Sequence, residues 1–102
     1  MLVRAAAGEA WDPLVAQAAD QGWAGIECLS GIPGTVGATP IQNVGAYGQE
    51  VSSTIVSVHA LDLETGHFRD IPAAECGFRY RTSIFNSSAA GRYIVLRVTY
   101  QL

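Results

Sequence analysis

The amino-acid sequence predicts an α+β fold: one domain, residues 1–102, with a mainly antiparallel sheet, one N-terminal helix and short helical turns around a glycine-rich loop. Three patterns carry that expectation. Apolar residues recur at helical spacing between Trp11 and Ala19, β-branched residues crowd residues 54–71, and apolar and polar residues alternate from Ile94 to Leu102. With about half of its 102 residues apolar, the chain can bury a single modest core and no second one.

In chain order, residues 2–6 are apolar apart from Arg4 and lead to Gly8, the pattern of a brief strand and a turn. Asp12 is placed to cap the free amides of the following helix, and Pro13 suits the first helical position, where its missing N–H costs nothing. Trp11, Leu14, Val15, Ala18 and Ala19 then share an inward face, and Gly22 ends the helix. Residues 55–63 read as a strand, Glu64-Thr65-Gly66-His67 as a turn and residues 68–71 as the returning strand of a hairpin. Pro72 opens a helical turn that Gly77 closes. In the last strand Ile94, Leu96, Val98, Tyr100 and Leu102 are expected on one face, with Val95, Arg97, Thr99 and Gln101 on the other. Asp62, Glu64 and Asp70 read as solvated hairpin surface, and His59 and His67 as structural.

Composition narrows the function classes. A net charge of −3 with six scattered basic residues offers no cationic stripe for a nucleic acid. No apolar run approaches the roughly 20 residues of a spanning helix, and Met1-Leu2-Val3-Arg4 lacks the features of a signal peptide. No membrane partner and a cytoplasmic location are therefore expected. Cys28 and Cys76 lack any CxxC or Cys/His spacing, so two free thiols in a reducing compartment and no metal site are expected.

The segment from Gly31 to Gly48 carries the chemistry. Glycine lets backbone amides approach an anion with no Cβ in the way. Neither the GK[ST] ending of a P-loop nor a GxGxxG after a strand is present. On glycine content alone, a tight structural loop and a phosphate cradle both remain open. Thr35, Thr39, Gln42 and Asn43 add directional hydrogen bonds, and Ile32, Val36, Ile41 and Val44 an apolar wall, a combination that suits an aromatic ring system with a phosphate tail.

The run IPGTVGATPIQNVGAYGQEV resembles a signature of the UDP-N-acetylenolpyruvylglucosamine reductase (UDP-N-acetylmuramate dehydrogenase) family. The likeness continues upstream through Val3-Arg4-Ala5-Ala6-Ala7-Gly8-Glu9-Ala10-Trp11 and downstream through Glu75-Cys76-Gly77-Phe78-Arg79-Tyr80-Arg81-Thr82-Ser83-Ile84-Phe85. It implies the second subdomain of a PCMH/VAO-type FAD-binding domain, in a flavoprotein oxidoreductase of peptidoglycan biosynthesis that uses NADPH and a UDP-sugar. FAD would lie against Ile32, Pro33, Gly34, Thr35, Val36, Gly37, Ala38, Thr39, Ile41, Gln42, Asn43 and Gly45. Arg81 falls on the family's catalytic arginine, which stabilises charge on the substrate carboxylate, and Tyr80 would orient it, both touching substrate. Tyr47 is left between two roles, the edge of the site or the core.

The resemblance also implies that turnover needs a first flavin segment and a third domain, with its proton-donating serine and partner glutamate, beyond the matched positions. Within them, Arg79 stands where the family commonly has glycine and Asn86 where it often has lysine. Two other readings stay open on the sequence: a non-catalytic nucleotide- or anion-binding module, and a domain that self-associates through faces normally covered by neighbours.

Overall fold

A computed structural model describes all 102 residues. Strand β1 (Leu2–Ala6) is followed by helix α1 (Trp11–Asp20), and a long loop holds a short helix α2 (Ala38–Gln42) and a small hairpin of β2 (Gly45–Ala46) and β3 (Gln49–Glu50). Strands β4 (Ile55–Asp62), β5 (Phe68–Pro72) and β6 (Tyr93–Gln101) complete a four-stranded sheet ordered β1-β6-β4-β5. Every pairing in it is antiparallel. The expected α+β architecture is thus observed.

Helix α1 ends as expected but starts differently. Gly22 takes φ +72, its amide donates to Ala19 and the Trp23 amide donates to Ala18, the paired bonds of a glycine-terminated helix. At the other end the first residue outside the helix is Ala10, which offers no side-chain cap. Asp12 lies within the first turn, and its carboxylate instead accepts from the Gly31 amide at 2.7 Å. It anchors the glycine-rich loop to the helix. Pro13 sits at the third helical position rather than the first, still among the amides that have no partner within the helix. Trp11, Val15 and Ala18 are buried and Leu14 half-buried, whereas Ala19 is exposed.

The simple alternation expected for β6 is corrected by bulges. Between the pairs His59/Arg97 and Ala60/Val95 one residue of β6, Leu96, has no partner, so the face reverses there. Val98 and Tyr100 point into the core, but before the bulge it is Tyr93 and Val95 that pack inward, leaving Ile94 exposed. A second irregularity, around Val56, does the same to β4: Ile55 is buried, Val56 exposed, then Val58, Ala60 and Asp62 are buried.

The inner sheet face, α1 and the loop share one core, in which the rings of Trp11 and Tyr100 meet at 5.8 Å. Its polar groups are satisfied. Trp11 Nε1 donates to the Leu29 carbonyl, and the Thr39 and Tyr100 hydroxyls share a hydrogen bond of 2.8 Å. Asp62 is not the solvated residue the sequence suggested: it is buried and held by Arg92 through Nε at 3.1 Å and Nη2 at 2.9 Å. The Arg92 bonds hold its carboxyl down at about 2. Cys28 and Cys76 are free thiols, the latter buried, and burial pushes the Cys76 thiol up to about 11. The two ends of the chain are neighbours, for the Leu102 amide donates to Met1 and the terminal ammonium donates back to Leu102.

Candidate functional site

Residues 31–37 run alongside the residues that link β1 to α1. The Val36 amide donates to Glu9 and the Gly37 amide to Ala7, both at 2.9 Å, while the Trp11 amide donates to Gly34. Glycine is required at position 37 because a Cβ there would sit 2.7 Å from that of Ala7. Gly34, with φ +123, faces open space. The amides of Ile32, Gly34 and Thr35 make no hydrogen bond within the chain, and Pro33, Gly34 and Thr35 are exposed. Asp12 occupies the Gly31 amide, so the free donors begin at Ile32.

Beyond Gly37 the side chains turn inward, which corrects part of the sequence reading. Val36 is fully buried in the core, so it supplies no wall to a ligand. The Thr39 hydroxyl is spent on Val36 and Tyr100. Asn43 is 1% exposed, and its amide group donates to Glu50 and to the Arg79 carbonyl and accepts from the Ser52 amide. Ile32, Ile41 and Val44 are half-buried against the core, Ala38 is half-buried, and Gln42 alone of the four expected polar donors besides Thr35 remains exposed.

Two tight turns flank the end of this segment. Tyr47 and Gly48 join β2 to β3 with φ +50 and +80, the positive pair of a two-residue type I′ hairpin. Arg79 and Thr82 exchange both backbone hydrogen bonds at 3.0 Å, which puts Tyr80 and Arg81 at the tip of the second turn. Asn43, Tyr47 and Arg81 are the non-glycine residues with positive φ, and all three lie in this corner. Such conformations cost on the order of 1 kcal/mol each for an L-residue and gather where function imposes a shape.

Arg81 is the centre of the corner. Its Nη2 donates to the Gly45 carbonyl at 2.7 Å and its Nη1 to the Asn43 carbonyl at 3.5 Å, and the guanidinium lies 4.8 Å from the centre of the Tyr80 ring. A Cβ on residue 45 would come within 2.6 Å of Nη1, so glycine at that position gives the guanidinium its seat. No carboxylate pairs with Arg81, unlike Arg92, which is bound to Asp62 and Glu64. With Tyr47, Gln49, Glu50 and Tyr80 it borders a shallow recess of about 160 Å³. Tyr47, 92% exposed, belongs to this edge and not to the core.

Neighbouring residues hold the turn from below. Ser83 donates to the Ile41 carbonyl at 2.8 Å and accepts from the Phe85 amide. Asn86 accepts from the Ser83 amide and donates to the Arg81 carbonyl at 3.2 Å, so the departure from lysine at this position carries a local cap. The sequence reading missed Glu50 altogether, although a carboxylate two residues after a Tyr-Gly turn is placed to face the strand before it. His59 pairs with Asp70 on the outer sheet face and takes no part here.

Residues 1–71 match the family described as FAD binding domain. The chain belongs to the FAD binding domain family. It is 57% identical over 100 residues to the UDP-N-acetylenolpyruvoylglucosamine reductase of Salinispora arenicola and 59% identical over the same length to that of Streptomyces avermitilis. Each alignment covers 98% of this chain and 27% of the relative, so the chain spans about a quarter of their length. The crystal structure of the reductase from Thermus caldophilus superposes with a TM-score of 0.83 at 31% identity, over 97% of this chain and 35% of that one. For this FAD binding domain, the free amides of Ile32, Gly34 and Thr35 beside the open space at Gly34 fit a phosphate-bearing, planar cofactor.

Proposed function

We propose that this chain is the FAD-binding portion of a UDP-N-acetylmuramate dehydrogenase, a single partial domain acting within a longer cytoplasmic polypeptide that builds peptidoglycan precursors. The cofactor, reduced by NADPH, would supply hydride to the enolpyruvyl double bond of a UDP-sugar. The free amides of Ile32, Gly34 and Thr35 in the segment of residues 32–45 bind and orient it, whereas Val36, Thr39 and Asn43 are buried with their amides bonded to Glu9, Val36 and Pro40, and serve as the frame of the segment. Arg81 binds the substrate carboxylate and stabilises the negative charge that spreads onto it, since a fixed guanidinium presents two parallel donors and stays charged. Tyr80 supports the guanidinium plane.

The observation that carries the reading is Arg81 itself: an exposed cation, fixed by two carbonyls and an aromatic face, with no anion of its own. Arg81→Ala in the full-length polypeptide should lower kcat by about a hundredfold to a thousandfold, the usual cost of a lost charge-stabilising donor, with flavin absorbance of the purified protein unchanged. Unchanged turnover would sink the assignment. A second reading is favoured by the outer face of the sheet, where Leu2, Val56, Phe68 and Ile94 are exposed: the isolated chain self-associates through it. Solution mass measured across a concentration series separates monomer from oligomer.

A further inference from the structure

Asn43 ties together all three pieces of the corner through its side chain. It belongs to the glycine-rich segment, its Nδ2 donates to Oε2 of Glu50 on β3 at 2.5 Å and to the Arg79 carbonyl at the base of the Arg81 turn at 2.8 Å, and its Oδ1 accepts from the Ser52 amide at 3.2 Å. Its own carbonyl is one of the two seats of the Arg81 guanidinium, and Gly45, two residues on, provides the other. The direction of those carbonyls follows from the backbone of Asn43, which has φ +45, a conformation asparagine tolerates better than most residues. Glu50 matters because an ionised carboxylate only accepts hydrogen bonds. It therefore draws Nδ2 and fixes which way the buried amide points, leaving Oδ1 for Ser52.

We infer that Asn43 and Glu50 form a positioning pair that sets the place of the Arg81 guanidinium, and that the Asn43 side chain is not a ligand of the cofactor. The inference rests on the proposed role of Arg81 for its catalytic consequence, and on geometry alone for its structural one. Neither residue touches the reacting groups. Both act through Arg81: the pair locks the glycine segment against the Tyr80-Arg81 turn, and the lock keeps the two carbonyl seats at the spacing that a guanidinium spans.

The direct test is NMR of the Arg81 side-chain N–H groups in the 102-residue chain. Asn43→Gly keeps the positive φ and removes the amide, and Glu50→Ala removes the acceptor; Glu50→Gln keeps an acceptor oxygen. The first two should speed rotation of the guanidinium about tenfold, equivalent to about 1.4 kcal/mol of lost restraint, and Glu50→Gln should largely restore the parent behaviour. Amide dispersion elsewhere reports that the fold is retained. In the full-length polypeptide the same two variants should lower kcat about tenfold with flavin content unchanged and KM for the UDP-sugar altered less. An Arg81 side chain as ordered in Asn43→Gly and Glu50→Ala as in the parent overturns the inference, as does loss of flavin without any change at Arg81. If Arg81 is freed while neither these variants nor Arg81→Ala changes turnover, the positioning pair stands and the catalytic assignment of Arg81 falls.

Discussion

Tyr100 and Arg81 show two opposite uses of a polar side chain in one small domain. Tyr100 lies in the core against Trp11, its hydroxyl satisfied by Thr39, and burial raises the energy of ionising it. Arg81 stands in solvent on a left-handed backbone, holds no counter-ion and leans on carbonyls and a ring. Around Tyr100 the chain minimises energy, with every buried side-chain polar atom partnered. Around Arg81 it accepts unfavourable dihedrals and exposed aromatics to keep a charge in a fixed place. The lesson is that the scaffold and the corner should respond differently to substitution: the scaffold through stability, the corner through chemistry.

The heaviest blow to the scaffold is Trp11→Ala. It removes a ring 1% exposed together with its bond to Leu29, and it should cost about 3–5 kcal/mol, enough to unfold much of the population of a small domain; urea denaturation measures it. Acid probes the scaffold next. The Asp62 carboxyl is lowered from 3.8 to about 2, so its contribution is complete above about 3.8 and is lost as the pH falls through 2. Acid unfolding followed by circular dichroism should move to higher pH in Arg92→Gln, which removes the cause of the shift. Gly37→Ala tests the join between the two regions. Its Cβ would press on Ala7, and a loss of about 1–3 kcal/mol is expected in a thermal melt. The smallest effect has the opposite sign. Tyr47→Asn suits the type I′ turn better, and it should raise stability by up to about 1 kcal/mol without aiding turnover. A Tyr47→Asn variant that melts lower would mean that the exposed tyrosine supports the fold after all, erasing the contrast.

Much of the scaffold was legible because it follows local rules. The spacing from Trp11 to Ala18, the stop at Gly22 and the turn at 64–67 each depend on residues close in sequence. What escaped was set by distant partners. The bulge at Leu96 depends on the register against β4, so strict alternation placed Ile94 on the wrong face. Asp12 offered a cap but was taken by Gly31, and Asp62 looked like surface because its partner, Arg92, lies 30 residues away. In the site, the glycine segment stood out by its composition, and Arg81 and Tyr80 were found through resemblance to a family. The inward turn of Val36, Thr39 and Asn43 was hidden by the five residues of α2, too few for periodicity to declare a buried face.

The meeting of Met1 with Leu102 has a practical reach. Because the first and last residues already hydrogen-bond each other, a linker of a few residues could close the chain into a ring without bending any strand. New termini could then be opened in the exposed turn at residues 64–66, outside both flanking turns of the Arg81 corner. Left unopened, the circle would lose less freedom on folding than the linear chain, and it would let the glycine-rich loop be studied on a frame without free ends.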